Sequence, residues 1–459
     1  MPVALFRPSP EAPAPGRAQS PARRWNSTAA ALAGWAALVW AAHRWGDRLI
    51  DSGHKLQVGF PPLVGELDSR VGPRALPAVA FAVGAVVVAP LLARHLTWRR
   101  LLVVSALAAA AWAVALALVD GPGALTAPLL LRGEYLHDVG RVASPAGFLA
   151  SFTERLPTYH THTQGHPPGM VLLLWSLDRA GLGGAGWAAA LCIAGGAAAV
   201  PAVLVTLRAV AGETQARIAA PFLALAPAAL WVATTADAFY AGLGAWGVAL
   251  VALAARRSGD RRPSRGRDVL AAAGGLLLGA TAFCTYGAVL LAPIGLAGAV
   301  AAGAGRVPWR PVLVAGAAAA ALAGTFAAAG FWWFDGLAAT RAAYEAGVAS
   351  RRPYGYFLLA NLAAFAVATG PAVAVGLGRL RQRGPWLLAG AALFAVTLAD
   401  LSGLSKGEVE RIWLPFVPWA LVATCALARR RRPPAAARSW LGVQVATALA
   451  VQMTVRTPW

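Results

Sequence analysis

Charge is scarce in this sequence. Asp, Glu, Lys and Arg make up 13% of its 459 residues, against about a quarter in a soluble domain, so an ordinary water-facing surface is excluded. Disorder is excluded too, because chains that stay unfolded are poor in apolar residues, and 58% of this one is apolar. Cysteine is almost missing. Cys192, Cys284 and Cys425 lie inside apolar stretches with no paired spacing, which argues against disulfide frameworks and thiolate metal sites. There is no glycine-rich phosphate loop of Walker spacing and no repeat of the kind that marks two transporter halves, so nothing points to an ATP-driven pump. Acids are the rarest charge, 19 against 40 Lys and Arg, for a net +21. The basic residues sit in short clusters between apolar runs, a pattern of membrane topology and not of nucleic-acid binding.

What is present fits an all-α, polytopic integral membrane helical bundle, with a mean hydropathy of +0.59. Apolar stretches of spanning or near-spanning length occur at about 28–43, 76–93, 101–120, 184–207, 217–235, 238–255, 268–283, 284–303, 309–331, 356–377, 385–400, 412–428 and 439–454, giving thirteen candidate helices. Residues 1–27, rich in Pro and Ala and carrying Arg7, Arg17, Arg23 and Arg24, read as a cytoplasmic tail before an uncleaved first span. With that end inside, Arg94/Arg99/Arg100, Arg208/Arg217, the block Arg256 to Arg267, Arg306/Arg310, Arg379/Arg381/Arg383 and Arg429 to Arg432 all face the cytoplasm. The model requires that Pro167 to Gly181, interrupted by Asp178 and Arg179, does not cross the membrane. The protein is then a multi-pass one of the cell membrane, whose extracytoplasmic face holds nearly all the acids, five of seven His and most Tyr. Chemistry belongs on that face.

The longest loop of that face runs from Gly121 to about Gly183. In it Glu134 and Asp138 are four apart, so on a helix they would share one side. Paired carboxylates at a membrane surface suit a general base acting on a hydroxyl, or a metal site, and equally a solvated loop. His160, His162 and His166 form an H-x-H-x3-H array, a spacing open to zinc and also to plain loop polarity. His166-Pro167-Pro168 stiffens the entry to an apolar helix.

An acidic residue shortly after a span, an amphipathic loop, and His-Pro-Pro at the next apolar helix resemble the polyprenyl-phosphate-dependent GT-C glycosyltransferases of the protein mannosyltransferase and aminoarabinose transferase type. Three more segments match in order. Asp237, in ALWVATTADAFYAGLGAWGVAL, looks like the family's Asp at the outer end of a helix pair. Tyr286, in GLLLGATAFCTYGAVLLAP, stands where the family often has Lys. GEVERIWLPFVPWAL, with Arg411, Pro415 and Pro418, looks like the segment that opens a late helix. The resemblance covers about residues 100 to 430 and implies a GT-C-like catalytic module over 101–430, preceded by a two-helix addition at 28–100 and followed by a basic loop and last span at 431–459. It departs in having Gly133-Glu134 where the family has Asp-Glu, which leaves the base open between Glu134 and Asp138.

The implied activity moves a sugar, with inversion, from a polyprenyl-phosphate donor to an acceptor hydroxyl on a cell-envelope glycan, lipid or protein. Such a site needs a carboxylate for the hydroxyl proton and cations for the leaving phosphate. Lys406, Arg411, Arg351 and Arg352 lie on the required side, and Trp332, Trp333 and Tyr354 can wall a groove or belong to an ordinary interfacial belt. Glu408, Glu410 and Arg411, packed at the edge of an apolar span, are expensive there and point to function, with a local ion pair as the alternative. His166, Asp237, Tyr286, Lys406, Glu408, Glu410 and Arg411 are the expected substrate-binding residues; no cofactor is expected, with a divalent metal left open. A secondary transporter or lipid flippase is the alternative, and a non-catalytic scaffold the third. A transporter would carry ionisable groups mid-helix on broken spans.

Overall fold

The computed structural model describes residues 21–256, 264–428 and 434–459. Most of the expected tail, the centre of the block Arg256 to Arg267 and the loop Arg429 to Arg432 lie outside them. The described chain is helical nearly throughout. Its one sheet among these residues is a minimal antiparallel pair, Glu66–Leu67 with Val455–Arg456.

Among the described residues six helices are long and apolar enough to cross a membrane: Pro73–His95, Trp98–Asp120, Ala185–Ala211, Ala236–Ala255, Trp309–Ala328 and Arg383–Leu401. The expected thirteen therefore overstates what helix length and composition support. Pro and Gly break several apolar runs that hydropathy alone joins. The 217–235 run is a helix Glu213–Ala224 followed by a separate 3-10 segment Pro227–Trp231. The 284–303 run gives only the shorter apolar helix Tyr286–Ala302, and 412–428 only Val417–Ala426. The 356–377 run bends by 90° between Tyr354–Thr369 and Pro371–Arg379, a seventh crossing if the pair is one span. Pro21–Asp51, Arg265–Ala282 and Pro434–Thr454 are long but more polar or charged.

The core is built on small residues. Ala236–Ala255 packs between Ala185–Ala211 and Arg265–Ala282, and a Cβ on Gly242 would sit 2.1 Å from the Gly195 carbonyl oxygen. Gly275 meets Ala315 as closely, at 2.0 Å. Backbones this near each other are the packing solution of helices in lipid, where dispersion and close fit replace the hydrophobic drive.

Several basic turns share one end of the bundle. Arg217 donates to the carbonyls of Ala93 and Leu96 at 2.7 and 2.9 Å, and Arg208 stacks on Trp98, 4.5 Å from its ring centroid. At the other end the long loop folds on itself. Ser144 caps the helix Pro145–Arg155 by accepting from Gly147 N–H at 3.2 Å, and its buried Phe148 and Phe152 pack against Tyr159. The helix Gly169–Arg179 then runs for 11 residues, too short to cross alone.

Candidate active site

Five separated stretches converge at that loop-bearing end. They are the loop after Trp98–Ala117, the turn Thr161–Gln164, the start of Ala236–Ala255, the turn Val409–Ile412, and the segment after Pro434–Thr454. Between them lies a small cleft lined by Glu134, Tyr135, His162, Thr234, Thr235, Ala236, Asp237, Arg411 and Trp459.

Arg411 is its centre. The residue is 6% exposed. Its Nη1 donates to Asp237 Oδ2 at 3.3 Å and its Nη2 to Glu408 Oε2 at 2.5 Å. Nη2 also lies 3.1 Å from His162 Nε2. Arginine has no lone pair to offer, so His162 Nε2 must be the acceptor there. That fixes the tautomer: the proton sits on Nδ1, which lies 2.9 Å from Glu134 Oε2. A relay of side chains thus runs Glu134, His162, Arg411 and on to Asp237 and Glu408. Burial works against charge on both Glu408 and Arg411, yet their mutual attraction prevails, holding the carboxyl of Glu408 down and the guanidinium of Arg411 up. Glu408 is held at φ +63°, a conformation that costs a non-glycine residue about 1 kcal/mol or more.

The two carboxylates expected on one helix face are in fact separated. Only Leu136–Val139 is helical there, a single turn that starts after Glu134, so the pair diverges. Asp138 is fully buried. It accepts from His160 N–H at 2.9 Å, meets His160 Nδ1 at 3.0 Å and Arg141 Nη1 at 3.1 Å. Burial opposes its ionisation, but the bonds from His160 and Arg141 win and keep its carboxyl below the usual range. Asp138 pins the loop; Glu134 faces the cleft.

The three array histidines do not share a ligand position either. His160 turns to Asp138 and His162 to Glu134. His166 donates Nδ1–H to the His162 carbonyl at 2.8 Å, its ring between those of Tyr135 and Tyr240. Burial, then His162, push the His166 pKa down to about 3, so it is a neutral, positioned ring. No group of three or more His, Cys, Asp or Glu among the described residues is arranged to hold a metal ion.

Other expected residues stand outside the cleft. Glu410 is fully buried and accepts from Val64 N–H at 2.9 Å, tying down the loop before Pro73–His95. Lys406 donates to the Ser350 carbonyl at 2.6 Å, and Arg352 contacts the Lys406 carbonyl and Gln57. Tyr286 packs on Trp333, whose indole donates to the Ala282 carbonyl at 2.9 Å, and Tyr354 donates to that of Leu401 at 2.9 Å. Trp332 is exposed, as is Arg351. Conversely, the pairing of His162 with Glu134 and the presence of Trp459 were missed. Only the H-x-H array drew attention to the first, and nothing in the sequence marked the second.

An apolar crevice adjoins the polar cleft, lined among others by Val232, Ala238, Ala241, Leu414, Val417 and Leu421. Ala238 follows Asp237 on its helix and Leu414 lies one turn beyond Arg411, so charged and apolar surfaces meet within a few residues.

No family model and no curated protein matches the sequence. Among solved structures the chain is similar to the oligosaccharyltransferase of Archaeoglobus fulgidus in its apo form, with 14% identity and a TM-score of 0.44, over 79% of this chain and 56% of that one. It is also similar to the same enzyme in complex with zinc and sulfate, at 16% identity and a TM-score of 0.40 over 76% and 51%. A third is AglB of that organism in complex with an inhibitory peptide and a dolichol-phosphate, at 14% and 0.39 over 79% and 56%. The chain spans little more than half the length of these neighbours, and likeness at this level carries no activity across.

Proposed function

We propose that the protein is a membrane glycosyltransferase that moves a sugar from a polyprenyl-phosphate donor to an acceptor hydroxyl at the extracytoplasmic membrane surface, with inversion. The observation that carries the reading is the cleft itself: the Glu134 carboxylate on its wall, 2.9 Å from the His162 imidazole, which in turn meets the buried Arg411 guanidinium, beside an apolar crevice. Glu134 takes the proton of the acceptor hydroxyl. The oxygen attacks the anomeric carbon, the bond from that carbon to the phosphate oxygen breaks, and the electron pair leaves on the polyprenyl phosphate. Arg411 balances the charge that develops on that phosphate. His162, its Nδ1 beside Glu134 Oε2, holds Glu134 in line, and Asp237 and Glu408 hold Arg411. The apolar crevice suits the isoprenoid chain. The sugar, the acceptor class and any need for a divalent ion are questions for the same assay, run with and without chelator.

The transporter alternative has one feature in its favour, the broken pair Tyr354–Thr369 and Pro371–Arg379. Its break is closed by protein: Gln444 donates to the Thr369 carbonyl at 2.6 Å and accepts from Ala372 N–H at 3.3 Å. The backbone groups freed by the bend are thus satisfied without an ion.

The test uses purified protein with polyprenyl-phosphate hexoses and hydroxyl acceptors. Glu134→Gln keeps the acceptor oxygen for His162 but cannot take a proton, and transfer should fall on the order of a hundred- to ten-thousandfold. Asp138→Asn should act first on melting temperature. Full transfer by Glu134→Gln would remove it as the base.

A further inference from the structure

Trp459 belongs to no motif, yet it lines the cleft and stacks on its central cation, with Arg411 Cζ 4.5 Å from the ring centroid. The fold places it there deliberately. Val455–Arg456 pairs with Glu66–Leu67, and Gly65 passes so close beneath that a Cβ on it would lie 2.6 Å from the Arg456 carbonyl oxygen. One residue earlier, Val64 is the backbone donor to Glu410, the neighbour of Arg411. The loop before Pro73–His95 therefore clamps both the segment that carries Trp459 and the turn that carries Arg411.

Two buried N–H donors of these stacked side chains have no partner among the described residues: Arg411 Nε and Trp459 Nε1. Buried donors are nearly always satisfied, and leaving one unpaired costs about 1–3 kcal/mol. Stacking occupies the face of a guanidinium, whereas oxygen acceptors approach in its plane. With the indole on the face of Arg411, its in-plane Nε–H stays buried and unpaired among the described residues, the edge an anionic oxygen would satisfy.

We infer that Trp459 is a donor-phosphate-binding residue. It fixes the plane of Arg411 by stacking and adds its indole N–H to Arg411 Nε–H as a second donor to an anionic oxygen. The phosphate identity of that anion rests on the glycosyl-transfer reading above.

The test compares binding of undecaprenyl phosphate and undecaprenol to the purified full chain, in wild type, Trp459→Phe and Trp459→Ala. Phenylalanine keeps an aromatic face and loses the N–H. Trp459→Phe should weaken the phosphate lipid by roughly three- to tenfold and Trp459→Ala by about tenfold or more, with undecaprenol affinity unchanged in both. An equal loss for the two lipids would make Trp459 a packing residue. Unchanged or tighter phosphate binding in Trp459→Ala would also overturn the inference, the latter by making the indole a plug. Wild type that does not favour the phosphate over the alcohol would contradict the transfer reading itself, and this assignment with it.

Discussion

Side chains adjacent in sequence do different work here. Arg411 lines the cleft and Glu408 accepts its Nη2–H, while Glu410 between them turns away to Val64. Burial raises the Glu410 carboxyl to about 7, so the folded state binds more protons than the unfolded one between the usual carboxylate pKa and about 7. Stability falls as pH rises through that window. The expected melting temperature of wild type therefore declines from pH 5 to 7 more steeply than that of Glu410→Gln, which keeps the acceptor for Val64 without the titration. The difference corresponds to roughly 3 kcal/mol at most; parallel pH profiles would contradict it. Glu134, Asp237, Glu408 and Arg411 were legible as candidates because charge at a membrane edge is conspicuous. The separate roles of Glu134 and Asp138, and of His160 and His162, were not, because spacing says which residues are near and not which way each turns once a helix is cut to one turn.

Among the elements, hydropathy located the apolar runs well and their breaks poorly. A window average passes over Gly370, although the chain turns through 90° there. Gly370 has φ +80°, and a Cβ on it would lie 2.4 Å from Gln444 Oε1. Gly370→Ala should therefore lower stability by about 1–3 kcal/mol, measured as a drop in melting temperature, and Gln444→Ala in the same chain should relieve only the steric part. An unchanged melting temperature would show that the bend can relax. The pair Glu66–Leu67 with Val455–Arg456 was hidden for another reason: two-residue strands carry no periodicity, so the link between these sequence-distant segments appears only in three dimensions.

At the scale of the molecule, charge segregation sets the expected orientation. Thr97, exposed in the turn between Pro73–His95 and Trp98–Asp120, lies at the basic end, and Thr161, exposed beside the cleft, at the other. Cysteine at 161 should react with a membrane-impermeant maleimide in intact cells and cysteine at 97 should not, while the buried native Cys192, Cys284 and Cys425 stay silent. The reverse pattern would invert the protein and move the cleft to the cytoplasm. The cleft's chemistry is tested most directly by mass spectrometry of lipids that co-purify with the full chain. Wild type should carry a polyprenyl-phosphate-linked sugar, and Arg411→Ala, purified alike, should have lost most of it. Wild type without such a lipid, or equal amounts on both proteins, would contradict the assignment of this cleft to lipid-phosphate sugar transfer.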